Sequence, residues 1–164
     1  MRRSLVGAAV AALALAAPSA AALPRAGELV PGRSLGGIRL GERAARVIAA
    51  LGSFHGVCRG CATTTWYFTY RPFDRHGLGV ELTKGRVSAV YTLWQPLGWH
   101  AGKRLQLGTD EAQVTEIAGA MPAVACPGYS VFVADSGLTR TAYYLAEGRL
   151  WGFGLFRRGA DPCR

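Results

Sequence analysis

Two stretches of this sequence repeat one another and decide the expected fold. They read GGIRLGERAARVIAALG at residues 36–52 and KRLQLGTDEAQVTEIAGAM at residues 103–121. Aligning Leu40 with Leu107, each followed by Gly, gives an offset of 107 − 40 = 67 residues. A second match follows: LGVELTKGRVSAVYTL at 78–93 and TAYYLAEGRLWGFGLF at 141–156, offset by 148 − 85 = 63. Two matches in the same order indicate an internal duplication.

Both copies show the same change of hydrophobic period. Apolar residues first recur at helical spacing, as at Val47, Ile48 and Leu51 in the first copy. The pattern then alternates, which predicts strands, and the Lys84-Gly85 and Glu147-Gly148 pairs predict tight hairpin turns. The predicted strands are Thr64–Arg71, Leu78–Thr83, Arg86–Trp94, Tyr129–Ala134, Thr139–Leu145 and Arg149–Phe156.

The expected fold class is α+β. Two tandem helix-plus-antiparallel-meander repeats are predicted to pack as one body, with the helices on one face of the sheet. The predicted segments are a signal peptide (1–22), an N-terminal lead-in (23–35), repeat 1 (36–94), a connector (95–102) and repeat 2 (103–164).

The first residues have the three parts of a secretory signal peptide. Arg2 and Arg3 precede an uncharged apolar run, and Ala20 and Ala22 fit the small-residue cleavage rule. The run is shorter than the roughly 20 residues that span a bilayer, so we expect cleavage after Ala22 rather than an uncleaved anchor. The mature chain is then expected to be secreted, extracellular or in the cell envelope, with no membrane span.

Arginine supplies nearly all of the positive charge. Without Arg2 and Arg3, 17 Lys and Arg face 10 Asp and Glu, a net charge of 17 − 10 = +7. The excess either solvates the surface or attracts anionic wall polymer, lipid headgroups or an acidic protein. No run of Lys and Arg reaches four residues. This scatter, together with export, argues against nucleic acid as a partner.

The mature chain has an even number of cysteines, Cys58, Cys61, Cys126 and Cys163, which in an exported protein indicates disulfides. Three pairings are possible; we favour Cys58–Cys61 with Cys126–Cys163, although the sequence does not select between them. A redox centre at Cys58-Arg59-Gly60-Cys61 would need its first cysteine at a helix N-terminus. This pair instead follows a predicted helix, so a structural bridge is the better interpretation. No second Cys or His pair at zinc-finger spacing accompanies it, so no metal site is predicted.

The tandem units, each with a cysteine in the loop after its helix, resemble the β-lactamase inhibitor protein fold. More loosely, they resemble small outer-membrane lipoproteins of the SmpA/BamE type. The resemblance covers about Gly36 to Phe156 and implies a protein-binding module without catalytic activity. The lipidation cysteine is missing and the cysteine spacing differs from the inhibitor family. The inhibitor's loop corresponds to residues 71–77, where Phe73 and Asp74 are candidate contacts, but the surrounding residues do not match and the inhibitory role is not transferred.

Strand alternation also predicts an aromatic surface. If Leu78, Val80 and Leu82 face the helices, then Val87, Ala89 and Tyr91 should face them too. The equivalent inward set in the second copy is Tyr143, Leu145, Leu150 and Gly152. The outward set, predicted to bind a partner unless another element covers it, is Tyr144, Trp151, Phe153 and Leu155.

No motif indicates an enzyme: the sequence has no nucleophile elbow, phosphate-binding Gly loop or metal-ligand constellation. No cofactor is expected. The leading hypothesis is a secreted, non-catalytic protein-binding module that uses the aromatic sheet face on a protein of the envelope or extracellular space; an inhibitor is one form of this hypothesis. The alternative is a structural cell-envelope protein retained on anionic wall polymer by its basic surface.

Overall fold

The computed structural model describes residues 22–164. The predicted signal peptide lies outside the described residues, apart from Ala22. The described part has two α-helices of eight residues each, and neither is long and apolar enough to cross a membrane.

Strands make up most of the ordered structure. In chain order the described elements are β1 (Glu28–Val30), β2 (Ser34–Leu35), α1 (Ala44–Leu51), β3 (Gly56–Val57), β4 (Thr64–Thr69), β5 (Gly77–Thr83), β6 (Arg86–Leu93), β7 (His100–Ala101), β8 (Leu105–Gln106), α2 (Glu111–Ala118), β9 (Ala123–Cys126), β10 (Tyr129–Ser136), β11 (Thr139–Ala146) and β12 (Arg149–Arg157). The six longer strands begin within one residue of their predicted starts.

Two sheets organise these strands. The larger has eight antiparallel strands in the order β3-β4-β5-β6-β12-β11-β10-β9. The smaller has four short strands in the order β2-β1-β7-β8, in which β1 and β7 are parallel. At the centre of the larger sheet, the Thr92 hydroxyl accepts a hydrogen bond from the Phe153 N–H at 2.9 Å, which supports the seam between β6 and β12.

The predicted α+β fold with two helix-bearing repeats is wrong. The described chain is 45% strand and 11% helix, so it is a mostly β protein built on large antiparallel sheets. The helices are too short to form a layer: α1 buries Val47 and Leu51, and α2 buries only Val114. The smaller sheet joins β1 and β2 of the predicted lead-in to β7 of the connector and to β8 at the start of predicted repeat 2.

The recurring sequence motifs nevertheless have a clear local role. Before α1, Gly41 donates its N–H to the Val87 carbonyl at 2.8 Å and accepts a hydrogen bond from the Arg86 guanidinium at 2.9 Å. Before α2, Gly108 donates to the Leu150 carbonyl at 2.6 Å and accepts from Arg149 at 3.1 Å. Each Leu-Gly motif therefore anchors the start of a helix on a Gly-Arg hairpin.

Trp99, in the predicted connector, is buried between the two sheets. It belongs to the same cluster as Leu29 of the smaller sheet and Leu78 of the larger. Its indole N–H donates to the Tyr70 hydroxyl at 2.7 Å. The connector thus contributes to the core, and its last residues, His100–Ala101, form β7.

The larger sheet has two distinct faces, which we call the covered face and the cleft face. On the covered face, residues such as Leu78, Leu150 and Phe153 pack with the smaller sheet and the helices. The cleft face carries a separate buried cluster: Ala89, Tyr91, Val131, Val133, Ala142, Tyr144 and Phe156.

Two β-bulges place several residues on the opposite face of the larger sheet from the one predicted. In the β5–β6 pair, Leu82 lies opposite Val87 but Glu81 lies opposite Ala89, so the register shifts by one residue at Ser88. A matching shift at Trp151 interrupts the β11–β12 pair. Because one extra residue reverses the alternation beyond it, Ala89, Tyr91 and Gly152 lie on the cleft face. The prediction that they face the helices is therefore wrong.

Candidate functional site

The candidate site is an aromatic cleft of about 550 Å³ on the cleft face. The bulge in β12 places Trp151 there, and β11 supplies Tyr144. The first residue of β10, Tyr129, completes a group of three rings. Trp151 lies 5.4 Å from Tyr144 and 5.6 Å from Tyr129 between ring centroids, and it meets the Tyr129 ring at an interplanar angle of 90°. The further lining residues are Tyr91, Thr92, Leu93, Trp94, Gln95, Gly128, Ala146 and Arg164.

Glycines make room for these rings on the cleft face. A Cβ built on Gly79 would lie 2.5 Å from the Tyr91 ring, and one on Gly152 would lie 3.2 Å from Tyr144. At Gly154 a Cβ would meet the Phe156 ring and the Tyr144 hydroxyl, the latter at 2.7 Å. The large rings therefore lie over strand positions that carry no side chain.

Residues 158–164, which we call the tail segment, cover part of the cleft face. The Arg164 guanidinium lies 4.7 Å from the centroid of the Phe156 ring and 5.6 Å from that of Tyr91. It also forms an ion pair with Glu81 at 2.8 Å, where both side chains are largely shielded from water. The Cys126–Cys163 disulfide ties the segment to β9.

The cleft tyrosines bind the tail segment through its backbone. Tyr144 donates its hydroxyl hydrogen to the Pro162 carbonyl at 3.1 Å. Tyr129 donates to the Arg164 carbonyl at 2.6 Å and accepts from the Arg164 N–H at the same distance. Burial raises the pKa of Tyr144 well above its ordinary value, and burial also raises the pKa of Tyr91. Both hydroxyls therefore stay protonated at neutral pH.

Trp151 has an unsatisfied donor. Its indole Nε1 is buried and has no hydrogen-bond partner among the described residues, and it is the only buried side-chain nitrogen or oxygen there in that condition. Buried polar groups are paired in the great majority of cases. The exception lies within the group of three rings in the aromatic cleft, which makes Trp151 the most informative residue of the site.

The predicted partner-binding residues in the strands lie on different faces of the larger sheet and differ in exposure. Tyr144 and Trp151 lie together on the cleft face, although Tyr144 is buried beneath the tail segment. Phe153 and Leu155 are fully buried on the covered face, so their prediction as exposed contacts is wrong. The cause is the bulge at Trp151, which turns the residues after it to the opposite face.

Phe73 and Asp74 lie away from the aromatic cleft, in the loop between β4 and β5. Asp74 accepts hydrogen bonds from the backbone N–H of His76 and contacts its Nδ1, both at 2.9 Å. These hydrogen bonds, led by the backbone one, lower the pKa of Asp74. Asp74 and His76, together with Tyr70 and Arg71, line a second, more open cleft. This Asp-x-His pair was not predicted, and its two-residue spacing in a loop was its signal in the sequence.

The structure shows both favoured disulfides, Cys58–Cys61 and Cys126–Cys163. Such bonds indicate folding in an oxidising compartment. Within residues 22–164, no three or more His, Cys, Asp or Glu side chains are grouped to hold a metal ion. Neither Tyr91 nor Arg164 could be predicted as a cleft residue, because the bulge at Ser88 places Tyr91 there and the path of the tail segment places Arg164 there.

Comparison with known proteins shows the fold alone. No family model matches the chain, and neither does any curated protein sequence. Among solved structures, the DUF4309 family protein YjgB from Bacillus subtilis is similar, with a TM-score of 0.55 and 15% identity over 76% of this chain and 84% of that one.

Two larger proteins of known structure each contain a part that is similar to this chain. A cysteine-rich secretory protein from Staphylococcus aureus has a TM-score of 0.52 and 11% identity over 73% of this chain. An extracellular protein containing an SCP domain from Bacillus anthracis has a TM-score of 0.53 and 9% identity over 73% of this chain. The match spans only 43% and 44% of those two proteins.

Proposed function

We propose that this is an exported binding module whose aromatic cleft holds a segment of another protein. Support for export comes from the signal-like N-terminus and the two disulfides. Two of the proteins with a similar fold are described as secretory or extracellular, in keeping with that location.

The observation that carries the proposal is the unpartnered indole N–H of Trp151 at the aromatic cleft. A buried donor without an acceptor costs about 1–3 kcal/mol. Because the nitrogen is shielded in the free protein, the indole must move for a peptide carbonyl to reach it, and the hydrogen bond formed would recover that cost. Aromatic residues also supply much of the binding energy at protein interfaces, because they bury large areas with few rotatable bonds.

The tail segment indicates the chemistry of the ligand. The cleft face already holds backbone carbonyls through the Tyr144 and Tyr129 hydroxyls, and it stacks a guanidinium on Phe156. These are the contacts of a peptide on an aromatic surface. We therefore favour a protein segment that continues past the tail segment across Trp151.

The test is to select random peptides displayed on phage against the exported protein and to measure their affinity by tryptophan fluorescence. Truncating a central aromatic anchor weakens binding by about 30-fold or more, so we expect that loss in Trp151→Ala. Trp151→Phe, which keeps a ring and removes the N–H, should lose less. Leu138→Ala is the matched control, since Leu138 is an exposed apolar residue in the β10–β11 turn.

Three results would contradict the proposal. A selection that yields no peptide would do so, as would peptides that bind Trp151→Ala as tightly as the original protein. Equal losses in Leu138→Ala and Trp151→Ala would also count against the cleft. Circular dichroism of each variant separates lost binding from lost folding.

The alternative function, retention on anionic wall polymer through the basic surface, stays a prediction. Several arginines that would serve it are engaged within the molecule, among them Arg140 with Asp135 at 2.9 Å and Arg164 with Glu81. Retention by arginine charge should fall steeply as salt rises, whereas binding in the aromatic cleft should persist. A salt series on isolated cell walls distinguishes the two.

A further inference from the structure

Three large apolar side chains project from one end of the molecule: Phe73 is 106% exposed, Leu97 79% and Trp94 56%. They belong to two loops, residues 70–76 and 94–99, that contact each other. The Arg75 guanidinium lies 4.7 Å from the centroid of the Trp94 ring, and Leu97 lines the second cleft together with Asp74. We call these three residues the apolar tip.

The backbone holds Phe73 outward at a conformational cost. Asp74 N–H donates to the Arg71 carbonyl at 3.1 Å and closes a β-turn with Pro72 and Phe73 at its centre. Phe73 has a φ of 64°. That position of a turn ordinarily takes glycine, because a side chain is disfavoured at positive φ. An aromatic residue there is unusual, and its side chain gains no protein contact that would offset the strain.

Trp94 repeats this pattern on the adjoining loop. Its φ is 53°, yet more than half of its side chain is exposed. Among residues 22–164, the other non-glycine residues with positive φ are Lys84 and Glu147, which precede Gly85 and Gly148 in two-residue hairpin turns that require this conformation. Turn geometry therefore explains Lys84 and Glu147, whereas both residues outside such hairpins are exposed aromatics at the apolar tip. Strained positions concentrate where function requires them.

Positive charge surrounds the apolar tip. Arg71 and Arg75 are exposed in the same loop as Phe73, and exposed Arg25 lines the second cleft beside them. None of the three is paired with a carboxylate in the part of the chain that the structure describes. The one acid of the two loops, Asp74, already contacts His76. Exposed apolar residues within a ring of unpaired arginines complement a surface that is apolar within and anionic at its boundary.

We propose that the apolar tip inserts into the headgroup region of an anionic lipid bilayer, where Arg25, Arg71 and Arg75 meet the phosphates. Tryptophan and phenylalanine favour the interfacial region of a membrane, and arginine side chains extend from it toward anionic groups. The contact is peripheral, and it borders the aromatic cleft at Trp94, which lines both. It brings an exported protein to the outer surface of a membrane while Trp151 and Tyr129 stay free to bind a ligand.

A lipid surface suits this tip better than a protein partner does. A protein would have to offer a separate pocket for each protruding side chain, and an acidic rim as well. A bilayer accommodates all three without shape complementarity, and anionic headgroups attract each nearby arginine. A protein partner at the tip is the competing outcome of the experiment.

The experiment is co-sedimentation of the exported, processed protein with phosphatidylcholine vesicles that contain or lack phosphatidylglycerol. We expect binding only to the anionic vesicles, and weaker binding as salt rises. Phe73→Ser combined with Leu97→Ser should weaken it about tenfold or more, the scale expected for leaving a large apolar side chain in water. Leu138→Ser is the matched control, because Leu138 is 86% exposed at the opposite end of the strands.

Trp94 provides an independent readout. Its fluorescence should shift to the blue on anionic vesicles, and Trp94→Phe should abolish that shift. Failure of the original protein to sediment with anionic vesicles would overturn the proposal, as would equal effects of Leu138→Ser and the tip variant. So would sedimentation that depends on Trp151 and not on Phe73. If the original protein captured another protein through Phe73 but did not bind vesicles, the tip would be assigned to a protein partner instead.

Discussion

The two faces of the larger sheet differ in what covers them. The covered face is closed by the smaller sheet, both helices and the buried Trp99, so its residues are held from several sides. Among the described residues, the tail segment closes part of the cleft face, and the cluster beneath it includes three aromatic rings that lie over glycines: Tyr91, Tyr144 and Phe156. Stability should therefore depend mostly on the covered face, while the cleft face remains available for binding.

The largest expected effect tests that division directly. Phe153→Ala removes a fully buried ring from the covered face, and such truncations cost about 3–5 kcal/mol. Trp151→Ala, on the half-open cleft face, should cost clearly less in the free energy of unfolding measured with urea. If Trp151→Ala destabilised the protein as much as Phe153→Ala, the contrast between the faces would be refuted.

The two disulfides constrain the unfolded chain to different extents, and one of them holds the cover of the cleft face. Cys126 and Cys163 are 37 residues apart and hold the tail segment, whereas Cys58 and Cys61 are three apart. Since a longer loop loses more entropy when closed, replacing the first pair with Ala should cost about 3–4 kcal/mol and the second about 1–2 kcal/mol. Urea unfolding of the two double variants measures the difference. A larger loss for the Cys58–Cys61 pair would show that the tail segment contributes little.

A third experiment tests how the rings lie on the cleft face. In Gly154→Ala the new methyl would meet the Phe156 ring and the Tyr144 hydroxyl, so one of them must move. Overpacking of this kind costs about 1–3 kcal/mol. Gly37→Ala is not a suitable control because its φ is 78°, whereas Gly56 has ordinary backbone and its nearest neighbour at 3.8 Å. Thermal unfolding should show a lower Tm for Gly154→Ala than for Gly56→Ala, and an equal Tm would contradict the packing described.

The sequence predicted the strands better than their faces. Hairpin turns and alternation located the six longer strands, since those signals lie within a few neighbouring residues. The bulges at Ser88 and Trp151 depend instead on how one strand pairs with the next, and no local pattern marks them. Phe153 and Leu155 were therefore assigned to the wrong side. The fold class failed for a related reason: the smaller sheet joins β1 to β7 across about 70 residues, a pairing that local periodicity does not contain.

The site was predicted only in part for the same physical reason. Trp151 and Tyr144 follow from the presence of aromatics on adjacent strands, so the sequence could indicate an aromatic surface. Arg164 has no such signal, because its place over Phe156 requires the tail segment to cross the sheet and Cys163 to bond to Cys126. The strained aromatics of the apolar tip are likewise visible only in backbone angles.

The smallest expected effect is the difference in unfolding free energy lost when each of two tyrosines on opposite faces of the larger sheet is replaced with Phe. Tyr144 on the cleft face donates to Pro162, whereas the Tyr143 hydroxyl has no hydrogen bond within the described residues and is not fully enclosed, although its ring packs on the covered face. At pH 7, Tyr144→Phe should cost about 1 kcal/mol, the usual worth of one hydrogen bond, and Tyr143→Phe should cost almost nothing. Urea unfolding at neutral pH measures both, and equal costs would mean that the contact with the tail segment adds no stability.

The pH dependence of stability above neutral pH provides a second measurement on Tyr143 and Tyr144. Burial raises the pKa of both tyrosines, so above pH 10 the unfolded chain ionises them while the folded chain does not. The unfolded state then binds fewer protons, and stability falls as pH rises, by at most about 1.4 kcal/mol per pH unit for each tyrosine. Each Phe variant should lose its share of that slope, so Tyr144→Phe should approach the original protein between pH 10 and pH 11. An unchanged alkaline slope in Tyr144→Phe would mean that the tail segment opens before Tyr144 ionises, and that the cleft face is covered less firmly than the hydrogen bond to Pro162 indicates.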